Sequence, residues 1–361
     1  MHHRLVRLRA AMAEQAIPAL LVSAAANRRY LSGFTGSYGA LLITPHTALI
    51  FTDSRYTVQA ARQAPTFELR QVINPDRPLV TLIKEAASEL GLSQLAFEAA
   101  HTTVAEHTAL SKALGEALTL VPSEGLVETL REQKDPEELM TLRRAIAITD
   151  AAITAVTERL TPDTTERQTA WMLEMALRMG GADGASFDII VAAGPNAALP
   201  HATPGEQTLG SGRPIIIDMG ALLDGYHADL TRTIVLGEPD ARFREIYGIV
   251  LAAQRKALAE LRPGMLTNEA DALARNVISA AGYGDYFGHG LGHGVGLNIH
   301  EGPGLRRTAA ETKGTPLRPG MVVSVEPGIY LEDWGGVRIE DLVLITDHGC
   351  EVLSQAPKLE P

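Results

Sequence analysis

The feature that most constrains this chain is a pattern of acids at the ends of apolar runs, present twice in its C-terminal third. Asp218 ends a run of isoleucines, and Glu326 ends a similar run rich in valine. Both runs are typical of buried strands that end in a carboxylate. Asp229 and Glu340 begin two further strand-like runs, each just after a glycine-containing turn. Each half of this region is therefore predicted to form a hairpin that carries two acids.

The repetition extends outward from the hairpins into helical segments. The string Leu160-Thr-Pro162, followed by Glu166, is echoed about a hundred residues later by Leu261-Arg-Pro263, followed by Glu269. A stretch with helical character follows each string. Self-similarity at a fixed spacing indicates a structural unit that is used more than once. We therefore predict a helix-helix-hairpin unit that is present twice.

Hairpins of this kind, facing one another, would bring four acids into a small volume. Carboxylates at such short distances repel one another strongly unless cations neutralise them. Any one of these acids, taken singly, has the alternative role of an ion-pair partner in a buried strand. Four acids at matched positions, together with one imidazole, instead suit two divalent cations that share bridging carboxylates. The pattern therefore points to metal-assisted hydrolysis.

The imidazole comes from a loop rich in glycine and histidine, residues 287–301. Its glycines let the backbone approach a ligand closely and adopt positive φ. His293 supplies one metal ligand, while His289 and His300 are available for proton transfer or for contacts with substrate oxygens. A solvated turn is the alternative for such a loop taken alone. Beside the acidic pattern, we interpret it as a loop of the site.

Four short strings around these residues resemble one family. They are His227-Ala-Asp229-Leu-Thr-Arg-Thr233, Gly290-Leu-Gly-His293-Gly-Val-Gly296, Glu326-Pro-Gly-Ile-Tyr330 and Gly336-Val-Arg-Ile-Glu340-Asp341. They are similar to strings of the proline-specific metallopeptidases, the Xaa-Pro dipeptidases (prolidases) and the Xaa-Pro aminopeptidases. The resemblance covers nearly the whole chain. It implies an α+β catalytic domain with the pita-bread fold, which has an internal pseudo-two-fold repeat.

The resemblance also implies a metal site and its chemistry. Two divalent ions per subunit, usually Mn²⁺ in this family, with Co²⁺ or Zn²⁺ as alternatives, would be bound by Asp218, Asp229, His293, Glu326 and Glu340. Asp229 and Glu340 would bridge the ions, and water held between the ions would be the nucleophile. His201 and His300 match catalytic histidines of the family, which act on the tetrahedral intermediate and the leaving proline nitrogen. A capping or core role is the alternative for His201.

Two further residues are predicted to contact the substrate. Arg338 lies two residues before Glu340 on the same strand, so both side chains share one face and Arg338 can reach the acids or the substrate. An ordinary ion pair with Asp341 or Asp229 is the alternative. His289 is the other predicted substrate contact, with a structural histidine as its alternative.

Composition restricts the partners and the location. The formal net charge of −11 argues against nucleic acid or an anionic membrane as partner. Because Cys350 is the one cysteine, the sequence excludes an intramolecular disulfide and a cysteine-based metal site. Arg4, Arg7 and Arg9 interrupt the N-terminal segment, and the chain has no apolar run long enough to cross a bilayer. We expect a cytoplasmic protein that binds neither nucleic acid nor membrane.

The residues before the acidic region predict a separate domain. Strand-like runs at 19–22, 40–43 and 48–51 alternate with helical stretches, as in an α/β domain. Residues 1–123 resemble the creatinase/prolidase-type N-terminal domain, which in relatives helps to form a homodimer. Residues 124–361 are then the predicted catalytic domain.

A capping signal follows the expected joint between the two domains. Asp135 supplies an N-cap, Pro136 a first-position proline and Glu138 a first-turn acid. The sequence therefore predicts that a long helix starts here.

Three functions are consistent with these patterns. A dipeptidase would cleave Xaa-Pro and release proline, and its candidates for binding the proline carboxylate are Arg306, Arg307 and Arg338. An Xaa-Pro aminopeptidase would instead remove one residue ahead of proline from longer peptides. A metal-free, non-enzymatic interaction module is the third. The presence of all five predicted ligands and both outer histidines favours an enzyme, and the short chain favours the dipeptidase.

Overall fold

The computed structural model describes residues 2–309 and 312–360. The chain divides into two compact units between Arg131 and Glu132. The expected joint after residue 123 lies earlier than this division. The difference arises because a short helix, Leu126–Glu132, follows the turn-rich segment and is tied to the first unit. Its Arg131 donates a hydrogen bond to the side-chain oxygen of Asn27 (2.7 Å).

The first unit is an α/β domain built on one six-stranded sheet. Its strands are β1 (Leu20–Val22), β2 (Ala40–Ile43), β3 (Ala48–Asp53), β4 (Glu68–Val72), β5 (Gln94–Glu98) and β6 (Thr119–Ser123). Its helices are α1 (His2–Glu14), α2 (Ala25–Ser32), α3 (Thr57–Gln63), α4 (Leu79–Glu89), α5 (Val104–Leu114) and α6 (Leu126–Glu132). The strand order is β4-β3-β2-β1-β5-β6, in which β2 is antiparallel to both neighbours and the other pairs are parallel. The three predicted strand runs are confirmed as β1, β2 and β3.

Apolar residues on the strands give this sheet its core. Leu21, Leu42 and Phe51 pack in one buried cluster with Ile83 of α4 and Leu110 of α5. Burying a side chain of this size contributes about 1.5–3 kcal/mol relative to leaving it exposed. The alternation of strands and helices seen in the sequence is therefore stabilised as a sheet covered by helices.

The second unit contains two copies of a related arrangement. The first copy consists of α7 (Pro136–Thr157), α8 (Glu166–Met179), β7 (Gly184–Ala185), β8 (Ile190–Ala193), β9 (Ile215–Met219), β10 (Ala221–Leu223), β11 (Tyr226–His227) and β12 (Leu230–Ile234). The second consists of α9 (Ala241–Glu260), α10 (Thr267–Ala280), β13 (Gly292–Gly294), β14 (Glu301–Leu305), β15 (Val322–Val325), β16 (Gly328–Leu331), β17 (Gly335–Arg338), β18 (Asp341–Ile345) and β19 (Cys350–Val352). Helix α7 packs on α8, and α9 packs on α10. The helix-helix-hairpin unit is therefore present twice.

Each copy has the predicted antiparallel pair. Strand β9 pairs with β12, with Asp218 opposite Thr231, and β15 pairs with β18. The strand predicted through Glu340 is interrupted, because Glu340 lies between β17 and β18. Its backbone N–H donates instead to the carbonyl of Thr231 in the other copy (3.1 Å). Asp229 likewise lies just before β12 rather than within it.

Matched contacts at the helix starts also relate the two copies. Thr165, before α8, forms an isolated bridge with Thr208, and Leu266, before α10, forms one with Pro316. In both copies a residue at the start of the second helix thus pairs with the segment that leads into the acidic hairpin.

Glu166 and Glu269, which the sequence pairs with each other, do not occupy matching places. Glu269 lies in the capping turn of α10 and accepts a hydrogen bond from the N–H of Leu266 (2.9 Å). In α8 that capping place belongs to Gln168, whose side chain accepts from the N–H of Thr165 (3.0 Å). Glu166 is instead completely buried and is free for another role.

The second copy has a continuous core of its own. Phe243, Tyr247 and Val250 of α9 are buried in one cluster with Val323 of β15 and Val343 of β18. A rigid, close-packed core of this kind holds the strand ends, and the acids beside them, in fixed positions. Among the described residues, no helix is both long enough and apolar enough to cross a bilayer.

The predicted helix start at Asp135 is confirmed by α7. Asp135 accepts from the N–H of Glu138 (2.9 Å), and Glu138 accepts from the N–H of Asp135 (3.0 Å), while Pro136 occupies the first turn. We predict that Asp135→Ala lowers the free energy of unfolding by about 0.5–2 kcal/mol, since it removes one partner of this capping box. Urea unfolding monitored by circular dichroism measures the change.

Asp135→Asn is the matched control, because asparagine caps helices about as well as aspartate. It should retain most of the stability. Equal losses in the alanine and asparagine variants would contradict the capping explanation.

Candidate metal centre

All nine residues that the sequence assigns to the site line one cavity of about 1120 Å³. They are Asp218, Asp229, His293, Glu326, Glu340, His201, His289, His300 and Arg338. Arg306 also lines this cavity, whereas Arg307 does not. The two distant hairpins and the loop that carries the histidines therefore contribute to one space.

Hydrogen bonds between the two copies hold the acids together. The Thr231 hydroxyl, on β12, donates to Oε2 of Glu340 (2.7 Å). Thr233, two residues further along β12, binds both the carbonyl and the N–H of Arg338 (2.8 and 3.0 Å). A strand of the first copy therefore fixes both the backbone and the carboxylate that the second copy contributes.

Three of the predicted ligands form a compact cluster. Asp229, His293 and Glu340 each offer a ligand atom, and these atoms lie within 4.8 Å of one another. Nε2 of His293 is also 3.6 Å from Oδ2 of Asp229 and 3.3 Å from Oε1 of Glu326. Mixed oxygen and imidazole donors at such spacing suit a divalent metal ion.

Two contacts orient His293 and Glu326. Nδ1 of His293 lies 3.1 Å from the carbonyl oxygen of Gly294, which suits a proton on Nδ1 and leaves the lone pair of Nε2 toward the acids. The Ser324 hydroxyl accepts from the N–H of His293 (2.9 Å) and donates to Oε1 of Glu326 (3.0 Å). The sequence analysis missed Ser324, although the period of two places its side chain on the same side of the chain as Glu326, which directly follows β15.

The electrostatics of the cluster are those of crowded, buried acids. Burial raises the pKa of Asp229 well above its usual range, and the carboxylates of Glu340 and Asp218 raise it further. Burial likewise raises the pKa of Glu340 well above its usual range, with Glu326 and Asp218 adding to the effect. Burial also raises the pKa of Glu326. Without compensating positive charge, this site therefore favours protonated carboxyl groups.

Two buried oxygens provide a test of whether the cluster fits a metal. Oδ1 of Asp218 and Oε1 of Glu340 have no hydrogen-bond partner in the part of the chain that the structure describes. An unpaired buried carboxylate oxygen is costly unless a cation or a donor satisfies it. Both oxygens belong to the predicted ligand set, so the residues present fit a site for hard or borderline divalent ions.

Arg338 reaches the acids, as the sequence predicts, through Asp218. Its Nη2 donates to Oδ2 of Asp218 (2.6 Å), its Nη1 to the hydroxyl of Tyr330 (2.9 Å), and its Nε to the hydroxyl of Thr231 (3.1 Å). Asp341 does not pair with Arg338. An arginine fork with this many partners holds Asp218 in a fixed orientation.

Asp341 belongs to a second buried network behind the site. Nη2 of Arg232 donates to Asp341 (2.8 Å), and Lys358 also pairs with it. Nη1 of Arg232 donates to the carbonyl of Glu340 (2.5 Å), so this arginine supports the ligand from the side away from the cavity.

The three outer histidines lie in different surroundings. Nε2 of His289 lies 2.9 Å from the hydroxyl of Tyr330, and burial lowers the pKa of His289. The ring of His300 is 4.3 Å from the ring of His293, and burial and the neighbouring imidazoles lower its pKa. His201 is exposed at the cavity rather than packed in the core. All three imidazoles therefore face the space that the acids line.

Glu166 anchors the segment that carries His201. Its carboxylate accepts from the N–H of Ala193 (2.9 Å), from the N–H of Gly205 (3.0 Å) and from the side chain of Asn196 (3.0 Å). The sequence analysis treated Glu166 as a marker of the repeat and missed this role. Partners that are mostly main-chain groups give no sequence signal of the contact.

Comparison with known proteins gives two family matches. The model of metallopeptidase family M24 matches residues 140–347. The model of the creatinase/prolidase N-terminal domain matches residues 4–133. Together they account for both units of the fold.

Individual relatives match over almost the full chain. An uncharacterized peptidase of Bacillus subtilis, YqhT, is 40% identical over 98% of both chains. The solved structure of an Xaa-Pro dipeptidase from Bacillus anthracis superposes with a TM-score of 0.94 at 40% identity, covering 99% of this chain and 98% of that one. An X-Pro aminopeptidase from Thermotoga maritima superposes with a TM-score of 0.87 at 37% identity, covering 95% and 97%.

The raised pKa values predict how the metal-free protein responds to pH. Asp229 and Glu340 have folded-state pKa values above their unfolded values of about 4, so the folded state binds more protons than the unfolded state. Their contribution to stability is therefore present at low pH and is lost as pH rises from about 4 through the folded-state values. Urea unfolding of chelator-treated protein at a series of pH values measures this decline.

The matched control is the double variant Asp229→Asn/Glu340→Gln, which removes both titrating groups. Its unfolding midpoint should fall less with rising pH than that of the wild type. Mn²⁺ should also flatten the wild-type decline, because bound cations favour the ionised carboxylates. Identical pH profiles for the wild type and the double variant would contradict the prediction.

Proposed function

This chain belongs to metallopeptidase family M24, and from that membership and its acidic cavity we propose that it is a two-metal Xaa-Pro dipeptidase that releases proline. The observation that carries the proposal is the convergence of four carboxylates and one imidazole on one cavity, with two of the buried oxygens unpaired among the described residues. The Bacillus anthracis dipeptidase, which matches almost the whole chain, supports the substrate class.

The five predicted ligands would hold two divalent ions. Asp229 and Glu340 would be shared between the ions, with Asp218, His293 and Glu326 completing the set. When bound, such ions supply a water molecule of lowered pKa and polarise the scissile carbonyl. Mn²⁺ is the proposed metal, since the donors are mostly carboxylate oxygens, and Co²⁺ and Zn²⁺ also suit a mixed oxygen and imidazole set.

Histidine side chains at the cavity would donate and accept the protons that the reaction transfers. A peptide bond to proline is a tertiary amide, so its nitrogen must gain a proton before it leaves. His300, whose pKa burial lowers, is neutral at pH 7 and donates or accepts one proton as its partners require. We assign His201 and His300 to the carbonyl oxygen and the leaving nitrogen, and His289 to binding the substrate.

Arg306 is the best of the three candidates for the proline carboxylate. It lines the cavity and is exposed, and no carboxylate within the described part of the chain pairs with it. Arg338 is instead committed to Asp218 and Tyr330, and Arg307 does not reach the cavity. A free guanidinium binds a carboxylate bidentately, so Arg306 would select substrates that end at proline. Arg338 would then affect the substrate through the groups that it positions.

The Xaa-Pro aminopeptidase remains the second candidate. The Thermotoga maritima structure, described as an X-Pro aminopeptidase, matches nearly the whole chain at 37% identity. The same ligands serve both reactions, and the two activities differ in whether the enzyme accepts peptide chain beyond proline.

As part of the proposal, we also expect that the protein is cytoplasmic and forms a homodimer. Sedimentation analysis of the purified protein tests the dimer.

Glu340→Gln should abolish hydrolysis of Xaa-Pro dipeptides and weaken metal binding. Glu340 is a proposed bridging ligand, and an amide supplies neither the charge nor the second anionic oxygen. Asp218→Asn should have the same two effects. The measurements are turnover of Ala-Pro and the number of Mn²⁺ ions retained per chain.

His300→Ala is the matched contrast, because His300 is assigned to proton transfer and not to the metal. It should retain the metal while turnover falls roughly 10²-fold or more. Full metal binding by inactive Glu340→Gln, or near-normal turnover by His300→Ala, would remove the assigned role of that residue.

Turnover of Ala-Pro against Ala-Pro-Ala separates the two candidate activities. The dipeptidase should prefer Ala-Pro, and Arg306→Leu should reduce that preference chiefly by raising KM, because the guanidinium binds the carboxylate in both ground and transition states. Arg307→Leu is the control and should behave as the wild type. Faster turnover of Ala-Pro-Ala by the wild type would favour the aminopeptidase.

A further inference from the structure

An arginine outside the cavity forms hydrogen bonds with the loop that carries His289. Arg275 of α10 donates from Nη1 to the carbonyl of Phe287 (2.8 Å) and from Nη2 to the carbonyl of His289 (2.6 Å). Its guanidinium also lies over the ring of Phe287, 4.2 Å from the centroid. Arg275 does not line the cavity. Its contacts with the loop are therefore with the backbone and the ring of Phe287, and not with the space that the substrate would occupy.

Asp271, one turn earlier on α10, forms an ion pair with Arg275 and also binds the loop. Its carboxylate accepts from Nε of Arg275 (2.6 Å) and from Nη2 (2.9 Å), and Oδ1 also accepts from the N–H of Leu291 (3.0 Å). The Asp271 side chain is 1% exposed and that of Arg275 is 11% exposed. Alternate residues of the loop, at 287, 289 and 291, are thus fixed to one buried ion pair. We call Asp271 and Arg275 the loop clamp.

Next to His289 the loop has few side chains that could pack. Gly288, Gly290 and Gly292 alternate with the clamped residues, and glycine leaves the backbone with more freedom than any other residue. The glycines at 290 and 292 are also required sterically, since an added Cβ would lie 2.7 Å from the carbonyl of Leu305 and 2.0 Å from that of Ser324. Phe287 and Leu291 are buried in the core on either side, whereas the backbone of His289 lies between two glycines that contribute no packing.

We propose that the loop clamp positions His289 for substrate binding, with Arg275 as a positioning residue. The imidazole of His289 meets the hydroxyl of Tyr330 at 2.9 Å, and that contact depends on where the backbone of residue 289 lies. The guanidinium holds this backbone through the carbonyl of His289 itself. The inference rests on the proposed function, because it assigns Arg275 to the reaction through a residue of the proposed active site.

Arginine is specifically suited to this task. The planar fork presents donors in fixed directions, so one guanidinium reaches Asp271 and two carbonyls at the same time. A lysine ammonium is compact and retains the charge beside Asp271 but cannot span both carbonyls. We therefore expect that a positive charge at position 275 is not enough to hold the backbone of the loop, and that the shape of the guanidinium is also needed.

Arg275→Met tests the proposal through steady-state kinetics with Ala-Pro. A displacement of about 1 Å in a site costs up to about 10²-fold in rate, so we expect kcat/KM to fall 10- to 100-fold while the bound Mn²⁺ per chain is unchanged. Arg275→Lys should also lose activity, with a fall in the logarithm of kcat/KM that is more than half of the fall in Arg275→Met. Wild-type kcat/KM in Arg275→Met would overturn the proposal, as would full recovery by lysine.

Coupling to His289 distinguishes positioning from a general loss of structure. If Arg275 acts through His289, the double variant Arg275→Met/His289→Ala should have the kcat/KM of His289→Ala alone. Multiplied losses would show that Arg275 acts elsewhere. Arg178→Met is the matched control, since Arg178 of α8 also pairs with an acid one turn away and binds a backbone carbonyl, but contacts no histidine loop. It should keep wild-type kinetics.

A crystal structure of Arg275→Met provides a readout that needs no substrate. The clamp predicts that the contact between His289 and Tyr330 lengthens beyond hydrogen-bond distance, and an unchanged contact would overturn it. If the wild type fails to cleave Xaa-Pro peptides, the proposed function fails, and this structure still decides whether the clamp holds the loop. Should Arg275→Met not fold, Arg275→Lys serves for the same measurement.

Discussion

Repulsion among buried carboxylates is the constraint on which the rest of this structure depends. Asp229, Glu340 and His293 offer ligand atoms within 4.8 Å of one another, and burial, together with neighbouring acids, raises the pKa of both carboxyl groups. Such an arrangement persists only if cations or protons neutralise it. The rigid helix-covered hairpins, the hydroxyl of Thr231 and the fork of Arg338 all act against the tendency of these groups to separate.

Both copies of the repeat use a buried acid on a helix to hold a segment of the site. Each copy places a buried acid in the first two turns of its second helix, Glu166 on α8 and Asp271 on α10. Each acid accepts hydrogen bonds from main-chain N–H groups in a segment that carries a histidine of the cavity. The segments that carry His201 and His289 are thus held from helices that do not line the cavity themselves.

Much of the site was predictable because its residues identify themselves chemically. Asp218 and Glu326 end apolar runs, and His293 lies among glycines, so type and spacing carry the signal. Glu166 and Arg275 escaped because they bind main-chain atoms, which every residue has. The domain joint was placed early because a turn-rich segment resembles a linker, although the helix that follows it is tied back to the first unit through Arg131.

The hydrogen bond from Thr231 to Glu340 ties the evolutionary histories of the two repeats together. Duplicated segments ordinarily diverge independently, but here a hydroxyl from one repeat completes the environment of an acid in the other. A change at position 231 is therefore selected through its effect at position 340, and the reverse holds equally. We therefore expect the residues at positions 231 and 340 to covary among related proteins.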